Sequence, residues 1–156
     1  MAISIDIELE YEFSVKASAA EAMALLSDLP ACAKLYPKVD RLVDLGDGAY
    51  RWEMEKIGVG SATIQTIYAS KYVPDKAKGT VVWTPVKGEG NAQVAGNWKI
   101  TAGKKCTQLK MQVGGTLTVP LPGLMKMVVA PVVKAAFEKL TDDYVANLTK
   151  KLGGAA

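Results

Sequence analysis

Residues 3 to 15 alternate without a break between apolar and polar positions. Ile3, Ile5, Ile7, Leu9, Tyr11, Phe13 and Val15 hold one parity, and Ser4, Asp6, Glu8, Glu10, Glu12 and Ser14 hold the other. Successive side chains of an extended chain point to opposite faces, so this pattern predicts a half-buried strand with an apolar inner face and an acidic outer one. The dry face needs a cover, and the opposite end of the chain supplies one. From Val129 onward, Val133, Ala136, Phe137, Leu140, Tyr144, Leu148 and Leu152 fall within about a third of a helix circumference, opposite Glu138, Lys139, Asp142 and Ala146. This predicts a long amphipathic helix from about Leu124 to Leu152, docked on the sheet.

Between these elements the punctuation is clear. Ser18 and Glu21 have the spacing of a capping box, in which hydroxyl and carboxylate each satisfy a helix-start amide, so a helix is expected from Ala19. Pro30 ends it and opens a second short helix to Tyr36, which Pro37 closes. Antiparallel strands follow. Val39 to Leu45 leads into a Gly46-Asp47-Gly48 turn, and Tyr50, Trp52 and Met54 then alternate with Arg51, Glu53 and Glu55. Gly58 and Gly60 interrupt before a strand from about Ala62 to Val73, whose facing is ambiguous because Ile64 and Tyr68 oppose Ile67 in parity. A Pro74-Asp75 turn, a short strand Val81 to Thr84, and a Lys87-Gly88-Glu89-Gly90 turn precede two more alternating runs. These runs are Val94 to Ile100 and Leu109 to Val119. None of the Gly-x-Gly fragments opens a helix after a strand, so they read as hairpin turns and not as phosphate cradles.

The start of the last helix differs from its remainder. Leu124, Met125, Met127, Val128 and Val129 are apolar nearly all round, with Lys126 the one charge and Pro131 placed to bend or restart the helix. Prolines, Gly123 and Lys126 crowd a run too short to cross a hydrocarbon core of about 30 Å. Its second side is left for a ligand, a subunit or the edge of a membrane.

Composition narrows the chemistry. A chain of 156 residues is read as one domain, 1–156, able to bury roughly 70% of its unfolded surface without metal or disulfide. The formal charge of +3 is small and the basic residues are scattered, so nucleic acid is not an expected partner. Cys32 and Cys106 form no C-x-x-C pair and are expected as free thiols, with no metal site. There is no histidine. That absence removes the imidazole-based triads and dyads of nucleophilic catalysis. No basic segment followed by an apolar h-region opens the chain, so a cytoplasmic location is expected, and Asn147-Leu148-Thr149 is then a chance glycosylation match.

The order strand, two short helices, six strands, long helix resembles the helix-grip fold of the START-like, or SRPBCC, superfamily. The resemblance rests on Ser18-Ala19-Ala20-Glu21-Ala22, Leu26-Ser27-Asp28 before Pro30, Tyr50-Arg51-Trp52, Gly96-Asn97-Trp98 and the proline-interrupted C-terminal helix. It is similar in particular to polyketide cyclase/dehydrase-like and coenzyme Q-binding-like members. The resemblance implies an α+β fold in which a curved, seven-stranded antiparallel sheet wraps the last helix and leaves an apolar cavity. It implies no particular reaction and no cofactor.

The candidate ligand-binding residues are Trp52, Met54, Trp98, Met111 and Val113 on the sheet and Leu124, Met125 and Val128 on the helix, with Tyr36, Tyr68 and Trp83 reaching in from the mouth. Three Trp and several Met form an adaptable surface, since Met fills gaps without fixing shape. Arg51, Glu53 and Glu55, and the acidic residues of the first strand, are expected to face water, with Lys110 and Gln112 across from the acidic stripe. Asp142 and Asp143 are expected on the outer helix face. The leading expectation is a non-catalytic carrier or sensor of an apolar molecule such as a lipid, quinone or polycyclic compound. In it, Pro120 to Val129 serves as a gate or membrane-touching lip. One alternative is a polyketide cyclase or aromatase using Arg51 and the donor set of Tyr68 with Gln65 or Thr66; another is an interaction module using the apolar helix start, with monomer and homodimer both open.

Overall fold

The acidic and apolar faces of the first strand dictate how the sheet begins. A computed structural model describes residues 3–59 and 62–156. Strand β1, Ile3–Val15, pairs along its whole length with the last strand, β9, Thr107–Val119, in antiparallel register from Ile3↔Val119 to Val15↔Thr107. Ile3, Ile5, Leu117 and Val119 are buried on the inner side. On the outer side Thr116 donates to Asp6 at 2.8 Å, Gln108 to Glu12 at 2.6 Å, and the Lys110 ammonium lies 3.4 Å from Glu10. The expected cross-strand partnership therefore forms, although Lys110 reaches diagonally past its register partner Glu12. Such exposed pairs contribute at most about 1 kcal/mol each and chiefly fix register.

Helix α1, Ala19–Ser27, begins where expected, with the Ser18 hydroxyl accepting from the Glu21 amide at 3.1 Å. The Glu21 carboxylate takes the Ser18 hydroxyl proton at 3.2 Å instead of reaching back to an amide. Asp28 caps the following helix, α2, Leu29–Ala33, which is shorter than the expected run to Tyr36. Strands β2, Val39–Gly46, and β3, Ala49–Met54, form a hairpin whose three turn residues, Gly46, Asp47 and Gly48, all have positive φ. Asp is among the few non-glycine residues that accept this conformation, which explains the composition of the turn.

The segment read as one strand from Ala62 is two. A small hairpin joins β4, Ile57–Val59, to β5, Ala62–Ile64; Gly60, read as a strand breaker, lies outside the described residues. The chain then kinks at Gln65-Thr66 before β6, Ile67–Asp75. Ile64, Thr66, Tyr68 and Ser70 keep one inward parity through the kink, and the run reads as ambiguous because Thr66 and Ser70 are polar while Ile67 lies on the opposite parity. On β6, Tyr68 and Tyr72 point into the molecule. Strand β7, Thr80–Gly90, is also longer than the short strand expected, because the chain continues through Lys87 to Gly90 and reverses at Asn91. Gly90, at φ +78°, is needed there: a Cβ would collide with the Ile67 carbonyl. Strand β8, Ala92–Ala102, completes a seven-stranded sheet ordered β1-β9-β8-β7-β6-β3-β2.

After a tight turn at Gly123–Met125, helix α3 runs without interruption from Lys126 to Lys151 with Pro131 inside it, so the helix does not restart there. Val129, Val133, Leu140, Tyr144 and Leu148 are buried against the sheet, giving the α+β helix-grip arrangement. The helix end is fastened to the start of the molecule. The amides of Lys16 and Ala17 donate to the carbonyls of Gly154 and Leu152 at 3.0 and 2.9 Å. Among the described residues no helix is long and apolar enough to cross a membrane.

Candidate ligand cavity

Where the inner side chains are small, sheet and helix fail to meet. On β8 and β9 the inner parity includes Ala92, Gly96 and Gly115, placed among Val94, Trp98, Met111, Val113 and Leu117. Gly96 is filled by a neighbour, because the Trp83 ring would stand 2.6 Å from a Cβ there. Ala92 and Gly115 line the space left open, although a Cβ at Gly115 would itself meet the Gln93 carbonyl. The resulting chamber has a volume of about 70 Å³ and is bounded by Ile7 and Leu9 of β1, Gly114 to Leu117 of β9, Ala92 of β8, Met54, Thr66, and Phe137 and Thr141 of α3.

A second chamber of about 50 Å³ lies beside it, walled by Trp52, Tyr72, Trp83, Trp98, Met111 and Tyr144 together with Leu26, Leu29 and Cys32. Its aromatic rings support one another. Tyr36 stacks on Tyr144 with centroids 4.0 Å apart, Trp52 stacks on Tyr68 at 5.9 Å, and Tyr36 meets Trp52 edge to face at 5.5 Å. The Trp52 indole N–H donates to the Tyr72 hydroxyl at 2.9 Å, so the buried indole is satisfied. Tyr36, Tyr68, Val94 and Val113 belong to both chambers and form the partition between them. Ligand pockets commonly enclose about 300–1,000 Å³, so a drug-sized molecule fits only if this partition moves.

No charged residue lines either chamber among the described residues. Burial accordingly dominates the titration of the groups inside. It pushes the Tyr36 phenol up to about 12, opposed in part by the Thr141 hydroxyl. Burial, and then the nearby Tyr72 and Tyr36 phenols, hold Tyr68 well above the usual tyrosine range. Cys32 is likewise raised by burial to about 12, and its thiol donates to the Leu25 carbonyl at 3.0 Å. These groups are neutral near pH 7.

The sequence-derived candidates divide into three groups. Trp52, Trp83, Trp98 and Met111 wall the second chamber, Met54 the first, and Tyr68 and Val113 both. Leu124, 94% exposed, and Val128, 64% exposed, face outward and touch neither chamber. Met125 is half-buried against the apolar cluster of Ile3, Ile5 and Val129 and also lies away from the chambers. The helix meets the cavity about three turns later, through Phe137 and Thr141, because its first turns are occupied by packing Val129 and Val133 on β1 and β9.

Of the residues considered for a cyclase, Tyr68 and Thr66 reach the interior and Arg51 and Gln65 do not. The Arg51 guanidinium lies 3.0 Å from Glu53 and 3.7 Å from Glu89, and the Gln65 amide donates to the Met54 carbonyl at 3.0 Å. Asp142 is also engaged, accepting the Tyr11 hydroxyl. The candidates read from the sequence do not include Ala92, Gly115, Phe137 and Thr141, and Thr66 enters only as a donor beside Tyr68 in the cyclase alternative. Small residues at inner strand positions, Ala92 and Gly115, mark the first chamber, whereas the Trp residues and Met111 wall the second.

The geometry agrees with comparisons to known proteins. The family model described as polyketide cyclase / dehydrase and lipid transport matches residues 6–152. An aromatase/cyclase, Zhui, from Streptomyces sp. R1128 has a similar structure, with a TM-score of 0.69 at 14% identity over 95% of this chain and 94% of that one. A protein from Thermus thermophilus gives 0.68 at 14% identity, covering 93% of this chain and 96% of the other. A START superfamily protein from Mycobacterium smegmatis gives 0.66 at 15% identity, covering 94% and 97%. At such identities the likeness is one of fold. No curated protein matches the chain.

Proposed function

The chain belongs to the polyketide cyclase / dehydrase and lipid transport family, and from that premise we propose that it binds an apolar small molecule between sheet and α3 and releases it unchanged. The observation that carries this reading is the pair of uncharged chambers meeting at Tyr36 and Tyr68. Transfer of apolar surface into such a space is favourable by about 25 cal/mol per Å², while nothing inside compensates an ionic group. A carrier needs a wall that yields and a lining without reactive pairs. The aromatic partition and the neutral phenols meet both needs. Polycyclic or quinone-like molecules suit it best, since flat rings can replace the ring-on-ring contacts of Trp52, Tyr68 and Tyr36.

Delivery would use the first turns of α3. Leu124 and Met127 are 94% and 87% exposed, Val128 and Val132 are also exposed, and no acidic residue occurs from Pro120 to Phe137. Lys126 and Lys134 flank this apolar surface. An apolar helix face bordered by cations suits shallow insertion into an anionic bilayer. We assign the membrane-touching lip to these turns.

The test is equilibrium binding of an apolar fluorophore, diphenylhexatriene, to wild type and to Ala92→Val, whose added methyls enter the first chamber. Saturable binding weakened about tenfold in the variant supports the reading. Binding of equal strength in both proteins, or none in either, overturns it.

A further inference from the structure

We propose that the Thr66 hydroxyl is a polar anchor of the cavity and selects neutral ligands that carry a single oxygen, a ketone or hydroxyl, on an otherwise apolar skeleton. This deepens the proposed function and rests on it. Among the described residues Thr66 is 3% exposed, lines the first chamber, and its hydroxyl has no hydrogen-bond partner. The buried hydroxyls of Thr141 and Ser70 are satisfied. Thr141 donates to the Phe137 carbonyl at 2.8 Å and Ser70 to the Val94 carbonyl at 2.8 Å. Leaving a buried hydroxyl unpaired is costly, and a ligand oxygen brought to it removes that cost.

The backbone around Thr66 is held firmly, so the hydroxyl has a fixed position. The Asn91 side chain grips both flanks, accepting from the Ile67 amide at 2.9 Å and donating to the Gln65 carbonyl at 2.7 Å. The Thr66 carbonyl accepts from the Met54 amide at 3.0 Å, and the Asn91 amide donates to the Ile67 carbonyl at 2.9 Å. This clamp also accounts for the kink between β5 and β6. The kink places a threonine, and not an aliphatic residue, on the inner wall. Pre-organisation of this kind is what converts one hydrogen bond into discrimination, because no ordering cost is left for the ligand to meet.

Charge selection follows from the same wall. A carboxylate brought to Thr66 would meet neutral hydroxyl donors and no cation among the residues of either chamber. Fatty-acid-like ligands are therefore excluded relative to the matching ketone or alcohol.

Isothermal titration with 1-tetralone, tetralin and tetralin-1-carboxylate tests this on wild type, Thr66→Val and Thr66→Ser. Expected are a ketone-over-hydrocarbon preference of about tenfold in wild type, from one hydrogen bond of about 1.4 kcal/mol, and carboxylate binding weaker than either. The preference should collapse toward one in Thr66→Val and survive in Thr66→Ser. Thr66→Val should melt no lower than wild type, since it removes an unpaired hydroxyl at constant shape. A preference that persists in Thr66→Val overturns the anchor while leaving the cavity reading intact. Carboxylate binding as tight as tetralone also overturns it. If neither neutral compound binds the wild type, the cavity reading fails and the anchor with it.

Discussion

The Tyr11 hydroxyl donates to the Asp142 carboxylate across 131 residues of sequence, tying the edge strand β1 directly to helix α3. Tyr11 sits on the apolar parity of its strand, so the bond closes the side of the grip where the helix passes the sheet edge. Hydrogen bonds to charged acceptors at half-exposed sites contribute about 1 kcal/mol. Tyr11→Phe and Asp142→Asn should each lower stability by about that amount, with the double variant no worse than the poorer single one. Urea denaturation of the four proteins measures this coupling, and strict additivity would show that the contact carries none.

Burial raises the phenols of Tyr36, Tyr68, Tyr72 and Tyr144, and burial with the Asp142 bond raises Tyr11. A folded-state value above the unfolded one stabilises the neutral form. That contribution is complete below the ordinary tyrosine value of 10.0 and is lost as pH rises through the folded values. Apart from Tyr50, which is partly exposed to solvent and ionises in the folded protein, phenolate absorbance near 295 nm should therefore appear in one cooperative step together with loss of circular dichroism, above about pH 10. A gradual titration with the fold retained would contradict the burial of these rings.

Gly115 lines the first chamber and cannot take a side chain cheaply, because a Cβ would lie 2.6 Å from the Gln93 carbonyl oxygen. Gly115→Ala should destabilise by about 1–3 kcal/mol through displacement of β8 from β9. Gly123→Ala, where a Cβ meets nothing within 4 Å, is the control and should change stability far less. Thermal melts of both variants decide the point.

Much of the framework is legible because the strands with one wet face, β1, β3, β8 and β9, carry strict alternation, and α3 carries a clean stripe from Val129. The β5–β6 kink is not, since polar Thr66 and Ser70 lie inward and break the period. Asn91, which fixes that kink with side-chain bonds to residues 24 and 26 positions away, leaves no local signature. The cavity is hard to place for a related reason. Large flexible side chains suggest space, and Trp52, Trp98 and Met111 do wall the second chamber, but the first follows the small residues Ala92 and Gly115, which carry no such signal.

The exposed turn at Leu124 to Val132 predicts vesicle binding that depends on both grease and charge. Met127→Ser with Val128→Ser should weaken co-sedimentation with phosphatidylglycerol vesicles about tenfold, from the loss of about 1–2 kcal/mol of apolar insertion. Sedimentation velocity of the same variants checks the competing use of this face. A wild-type dimer that the double substitution dissociates would assign the surface to a second copy.

The most direct measurement is of nuclear Overhauser contacts between bound 1-tetralone and methyl groups of the protein. The cavity account predicts contacts to Ala92, Val113 and Leu117, with weaker ones to Val94 as the partition moves. Contacts confined to Leu124, Met127 and Val128 on the outer helix turn would contradict it.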